Sequence, residues 1–254
     1  MRAEYTPKTD SEWQVIEKFL NTKRKRKHDL REIFDAVCWL TKSGLQWREL
    51  SKTQFPSWQV VYYYFRTWKS KGVFFSILRE VVKAERIRQN RESDASMGAI
   101  DSQSIKKGMF VKEETGIDGN KKINGRKRHI IVDSLGLPLA ISVTAANVYD
   151  GNEGKNLLEQ LKMVSNRMQL IRADDTYKGS FVEEAKAYGW VVEFGQKPES
   201  QKGFVPQKGR WQVERAFAWM NPFRRLSKDY EKTIESSVAF ISIAFFDIIL
   251  ARLP

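Results

Sequence analysis

The sequence predicts an α/β layer fold preceded by a run of helices, and three observations predict it. Up to about residue 92 the apolar residues recur at helical spacing. From Met97 onward the period becomes that of strands, with three consecutive strand-like runs separated by turns. Past Asp150, helical and strand-like segments alternate, the pattern of a sheet with helices packed on it. The polar stretch 90–96 separates the two regimes, giving an N-terminal helical domain over residues 1–92 and a second domain over 93–254.

Composition bounds the function. The chain has 254 residues, 41% apolar and 12% aromatic, enough to bury a large core and to argue against disorder. Its 44 Lys and Arg against 31 Asp and Glu leave a net charge of +13, which favours a polyanionic partner, nucleic acid ahead of an anionic membrane surface. The single cysteine, Cys38, lies in an apolar helical run, so disulfides and zinc clusters are excluded and a reducing cytoplasm fits. The first ten residues lack the apolar core of a signal peptide. The longest apolar run, 238–250, is short for a bilayer and contains Asp247, so it reads as a buried C-terminal helix. With only His28 and His129, acid and base chemistry is better sought among carboxylates.

Each element has its own signal. Thr9 followed by Glu12 is a capping box, and Trp13, Ile16 and Leu20 continue at helical period. Five consecutive cations at 23–27 form a loop, either solvated or lying along phosphates. A second helix spans 29–43, with Ile33, Phe34, Val37 and Leu40 on one face and Gly44 as its stop. The helix at 58–69 carries more aromatics than one core-facing stripe can absorb, so some are exposed. Together with its neighbours and Arg66 it makes either a helix-turn-helix module that contacts DNA or an ordinary aromatic-cored bundle. A fourth helix covers 72–89. Strands follow at 97–100, 128–133 and 139–145, as an antiparallel meander with DSLGLP as the last turn. A helix from 150 to about 167 is capped within 150–152; then come a strand at 169–173, a helix at 181–188, a strand at 190–194, and helices at 209–219 and 233–253.

Carboxylates stand at the strand ends: Asp101 after the first, Asp133 after the second, Asp174 and Asp175 after the fourth. Glu214 sits on the helix GRWQVERAFAW, where on its own it reads as a surface ion pair with Arg210 or Arg215. Converging carboxylates repel unless a cation joins them, and all-oxygen donors select hard divalent ions. A pair of such ions about 3.5 to 4 Å apart stabilises both the attacking and the leaving oxygen at phosphorus, so a basic protein with a carboxylate cluster points to phosphodiester chemistry.

The segments LTKSGLQWREL, WQVVYYYFRTW, AIDSQSIK, GRKRHIIVDSLGLPLAISVTAANVYD, RADDTYKG and RWQVERAFAWM, in this order, resemble the DDE transposases of bacterial insertion sequences, within them the insertion-sequence-five family, along nearly the whole chain. The resemblance implies an RNase H-like core, a mixed sheet of about five strands flanked by helices, in which three acids hold two Mg2+ or Mn2+ ions. Asp101, Asp174 and Glu214 match the three acids; Asp174 is preferred over Asp175 because it lies three residues before Tyr177, and Asp133 matches a structural turn.

The larger group also has a tyrosine, an arginine and a lysine around the glutamate. Arg210 matches the arginine, but Gln207 and Asn221 stand at the other two positions. Cationic contacts to DNA are expected from Arg210, Arg215, Arg66 and the basic segment with Lys122, Arg126, Lys127 and Arg128, and Arg224 and Arg225 are further candidates. The implied function is binding of the element's terminal inverted repeats, hydrolysis at the element ends and joining of the 3′-hydroxyls to target DNA. Such a protein acts as a homodimer or larger oligomer on double-stranded DNA, in a bacterial cytoplasm at the nucleoid. A DNA-binding regulator with the same fold, an inactive relic, or a nuclease without strand transfer are the alternatives that the residues leave open.

Overall fold

The computed structural model describes residues 5–50, 55–195 and 211–253. Four helices come first: α1 (Asp10–Glu17), α2 (Leu30–Ser43), α3 (Trp58–Ser70) and α4 (Val73–Arg88). The capping box opens α1 as expected, the Thr9 hydroxyl accepting from the Glu12 amide while the Glu12 carboxylate accepts from the Thr9 amide at 2.7 Å. Gly44 ends α2 in the left-handed conformation, φ 73°, where a side chain would also press on Arg224. In α3 only Val61, Phe65 and Trp68 are buried; Tyr62 and Tyr63 are exposed, the surplus that the sequence pattern required.

The sheet contains β1 (Met97–Lys106), β2 (Gly116–Ile117), β3 (Asn124–Asp133), β4 (Pro138–Ala145), β5 (Leu170–Ala173) and β6 (Val191–Phe194). β1, β3 and β4 form the expected antiparallel meander, and β5 joins β1 in parallel and β6 joins β5 in parallel. The order β4-β3-β1-β5-β6 is the RNase H-like arrangement, with β2 pairing only at the start of β3. β1 and β3 extend well past the predicted strand lengths, because their outer halves pair with each other from Ser102↔His129 to Lys106↔Gly125. The β3–β4 turn is closed by Gly136 at φ 75°.

Helices α5 (Asp150–Val164) and α6 (Ser180–Ala187) pack together, with α5 also on β3 and β4. Helix α7 (Trp211–Trp219) packs on β1 and β3, while α8 (Ile234–Leu250) packs on α2, α3, α4 and β4. α8 is apolar nearly all round, as a buried helix must be. Its Phe240 stacks on Phe65 at 4.8 Å between ring centres and its Phe246 on Phe34 at 5.6 Å, and Asp247 pairs with Lys8 at 2.5 Å. The N-terminal helices and the sheet therefore share one hydrophobic core through α8. None of the described helices is long and apolar enough to cross a membrane.

Candidate active site

The parallel ladder between β1 and β5 ends at Ala99↔Arg172. Two residues further along each strand stand Asp101 and Asp174. Both therefore stand where β5 ends beside β1, on two neighbouring inner strands of the sheet. Asp101 accepts the Ser102 amide at 2.7 Å. Asp174 caps the short 3-10 turn Asp175–Tyr177, accepting the Thr176 amide at 3.0 Å and the Thr176 hydroxyl. Asp175 points elsewhere: it is exposed and pairs with Lys178 at 2.9 Å.

That turn buries Tyr177 completely. Burial pushes its phenol well above the usual range, and the fields of Asp150, Asp101 and Asp174 push it further in the same direction. Three carboxylates therefore bear on one buried hydroxyl. Asp150, read from the sequence only as part of a helix cap, is the member that sequence reasoning missed. It sits at the start of α5, accepts the Ser102 hydroxyl at 2.9 Å and pairs with Lys127 at 2.7 Å. Its partners lie far away in sequence, so spacing carried no signal for it.

The α5-facing side of the sheet carries buried polar groups here as well as apolar ones. His129 is buried, with Nε2 2.9 Å from the Thr144 hydroxyl. Burial, with Lys127 acting in the same direction, lowers its pKa to about 4 against the pull of Asp150. Nearby, burial pushes the Asp118 carboxyl up. Hydrogen bonds from the Ser104 hydroxyl and from the Lys121 and Asn120 amides outweigh it and hold Asp118 at about 2.

Glu214 is carried on α7, exposed, while Val213, Ala216 and Phe217 on the same helix are buried. α7 is clamped by Arg215, whose guanidinium lies 4.3 Å from the Trp211 ring centre and 5.1 Å from that of Trp219 and donates to the Leu135 carbonyl at 2.6 Å. The helix closes at Trp219, so Asn221 lies beyond it in an exposed turn. Arg210 and Gln207 fall outside the described residues. Two hard carboxylate donors on neighbouring strands suit a divalent cation. The structure does not bring Glu214 into a set with them, for among the described residues no group of three His, Cys, Asp or Glu side chains is arranged to hold a metal ion.

The basic residues divide. Arg126 is fully buried, and all three of its guanidinium nitrogens are engaged. Nη1 pairs with Asp229 at 3.1 Å and donates to the Glu231 carbonyl and the Ser237 hydroxyl; Nε and Nη2 donate to the carbonyls of Glu114, Glu113 and Lys232. Arg128 is buried too, donates to the Leu226 carbonyl at 2.9 Å, and is lowered to about 10 by burial. Phosphate contact, expected for both, does not fit these positions. Strand alternation sends 126 and 128 to one covered face and 127 and 129 to the other. Lys127 is held by Asp150 and the Val148 carbonyl, and Arg225 is buried against Glu231. Lys122, Arg66 and Arg224 remain exposed. Asp133, expected to be structural, is buried, pairs with Arg86 and accepts the Leu135 and Leu137 amides at 2.9 Å each.

The family profile described as "Transposase DDE domain" matches residues 92–246, and that described as "Putative transposase of IS4/5 family" matches residues 9–78. The chain is 29% identical over 126 residues to "Putative transposase for insertion sequence element IS402" of Burkholderia cepacia, a match covering 47% of this chain and 60% of that protein. It is 28% identical over 124 residues to the corresponding protein of element IS6501 of Brucella ovis, covering 46% of this chain and 92% of that one. A structure described as "Mos1 transposase paired-end complex with left transposon end" aligns with 100% of this chain and 86% of its own at 13% identity, with a TM-score of only 0.35. The profile of the transposase DDE domain spans more than half of the chain, and the chain belongs to the family it describes, the DDE transposases.

Proposed function

We propose that the protein binds the terminal inverted repeats of an insertion sequence, hydrolyses the phosphodiester at the element ends and joins the freed 3′-hydroxyls to target DNA. The observation that supports this reading is that Asp101 on β1 and Asp174, just past the end of the neighbouring β5, both bear on buried Tyr177. Asp101 and Asp174, with Glu214 as the third acid, would hold two Mg2+ or Mn2+ ions. Bound there, such ions stabilise the attacking and leaving oxygens of an in-line displacement. The protein's own residues position the rest: Lys127 balances Asp150, and Asp150 holds Ser102, the neighbour whose amide fixes Asp101. Of the cations, exposed Lys122 and Arg66, together with Arg210, are assigned to DNA phosphates, with residues 1–92 as the DNA-binding domain and 93–254 as the catalytic one. Acting on two ends calls for a dimer or larger assembly on duplex DNA, at the bacterial nucleoid.

The test is end cleavage and strand transfer on a duplex carrying the element end, in Mg2+, with Asp101→Ala, Asp174→Ala and Glu214→Gln. Each is expected to lower the rate by about a thousandfold or more. Full activity of any one removes that residue from the site. Gel-shift binding with no Mg2+-dependent nicking in the same assay contradicts the catalytic reading.

A further inference from the structure

Between α3 and the loop at 21–28 lies a groove of about 540 Å³ that the site above does not use. One wall is cationic, with Arg24, Lys25, Lys27 and His28 from the loop and Lys71 from the end of α3. The other is aromatic, with Tyr63, Tyr64 and Trp68. No carboxylate lines it, and among the described residues Arg24, Lys25, Lys27 and Lys71 form no ion pair. The contrast with the groove near the N-terminus is plain: there Lys8 is matched by Asp247 at 2.5 Å and Glu12 at 3.7 Å. An unmatched cluster of cations in a concavity is a standing attraction for a polyanion.

The groove is also built. Arg26 turns back to donate to the Asn21 and Arg24 carbonyls, which fixes the loop while Arg24, Lys25 and Lys27 stay exposed. Tyr63 is 62% exposed. It is nevertheless braced, edge to face with Tyr64 at 5.4 Å, and Tyr64 in turn lies 5.4 Å from the buried Trp68. This groove is separate from the Arg66 side of α3, where Arg66 lies over Tyr62 instead.

We propose that this groove binds an unpaired DNA strand, its phosphates on the loop cations and Lys71 and a base stacked on Tyr63. Aromatic stacking needs an exposed base face, which a duplex does not offer, whereas cations beside a braced aromatic ring are the pairing that single strands use. The proposal rests on the DNA reading above and names the form of DNA taken by this part of the N-terminal region.

The experiment is fluorescence anisotropy of the full chain with a labelled oligothymidylate of about 10 nucleotides, and with a duplex of equal length. Tyr63→Ala is expected to weaken single-strand binding about tenfold and Tyr63→Phe less than about twofold, while duplex binding is unmoved by either. Lys25→Ala with Lys27→Ala is expected to weaken binding of both ligands and to flatten the single-strand salt slope by about 1.4. Anisotropy is read without Mg2+, where no cleavage can occur, so failure of the cleavage reading is read separately from failure of this one. Equal single-strand affinity of the wild type and Tyr63→Ala, with circular dichroism showing both folded, overturns the proposal. So does Tyr63-dependent binding to phosphatidylserine vesicles with none to the oligonucleotide.

Discussion

His129 shows how much a single buried group sets. Its pKa of about 4 lies below the ordinary histidine value, so the folded protein holds it neutral while the unfolded chain takes up a proton near pH 6.5. The stability it contributes is present above about pH 6.5 and lost as pH falls toward 4, on the order of a few kcal/mol in all. Melting temperature followed between pH 7 and 4.5 is expected to fall more steeply for the wild type than for His129→Gln; parallel curves contradict this. Arg86 and Asp133 make a second residue-scale test. Burial pushes the Asp133 carboxyl up while Arg86 and the turn amides pull it back, so Arg86→Ala leaves a buried carboxyl without its ion-pair partner. Urea unfolding is expected to show a loss of about 3–5 kcal/mol. The role of Asp133 was legible in the sequence, since it precedes a turn. The roles of Arg126 and Arg128 were not, because a row of cations in a sequence does not reveal that both faces of its strand are covered.

Among the elements, most with a local signal were read correctly; the cap expected within 150–152 was not, since Tyr149 is the N-cap of α5 and makes no side-chain cap hydrogen bond. The Thr9 capping box, the Gly44 stop and the DSLGLP turn each fix their own geometry within a few residues, and each stands where expected. What escaped was set by distant partners: the outer half of β1, which exists because β3 pairs with it, and β2, two residues held by the start of β3. Helix α7 is the element on which Glu214 depends, and its clamp is Arg215 between Trp211 and Trp219, tied to the β3–β4 turn. Arg215→Ala is expected to cost about 1–2 kcal/mol and to speed hydrogen exchange in α7 ahead of β1 and β3. Unchanged exchange in α7 contradicts the clamp. Burial and Arg252 lower the Arg215 pKa, in keeping with a guanidinium used for packing as well as charge.

At the scale of the molecule, α8 decides how the parts behave together. It inserts its aromatic rings among α2, α3 and α4 while packing on β4, so the helices and the sheet are expected to unfold in one transition. Phe240→Ala, which empties a fully buried site, is expected to cost about 3–5 kcal/mol and to shift helix and sheet signals by the same amount. The sequence made the RNase H-like order readable through its ordered motifs, and the structure adds how the two aspartates come to neighbouring strands: β1 and β5 pair in a parallel register that no spacing along the chain contains. That register also separates two adjacent residues that sequence alternation left equivalent, Asp174 on the buried tyrosine and Asp175 in an exposed pair with Lys178. Mg2+-dependent cleavage of an element-end duplex by Asp174→Asn and Asp175→Asn tests the account most directly. A loss of about a thousandfold or more for Asp174→Asn, with Asp175→Asn within about threefold of wild type, is the expected result; the reverse order, or equal losses, contradicts it.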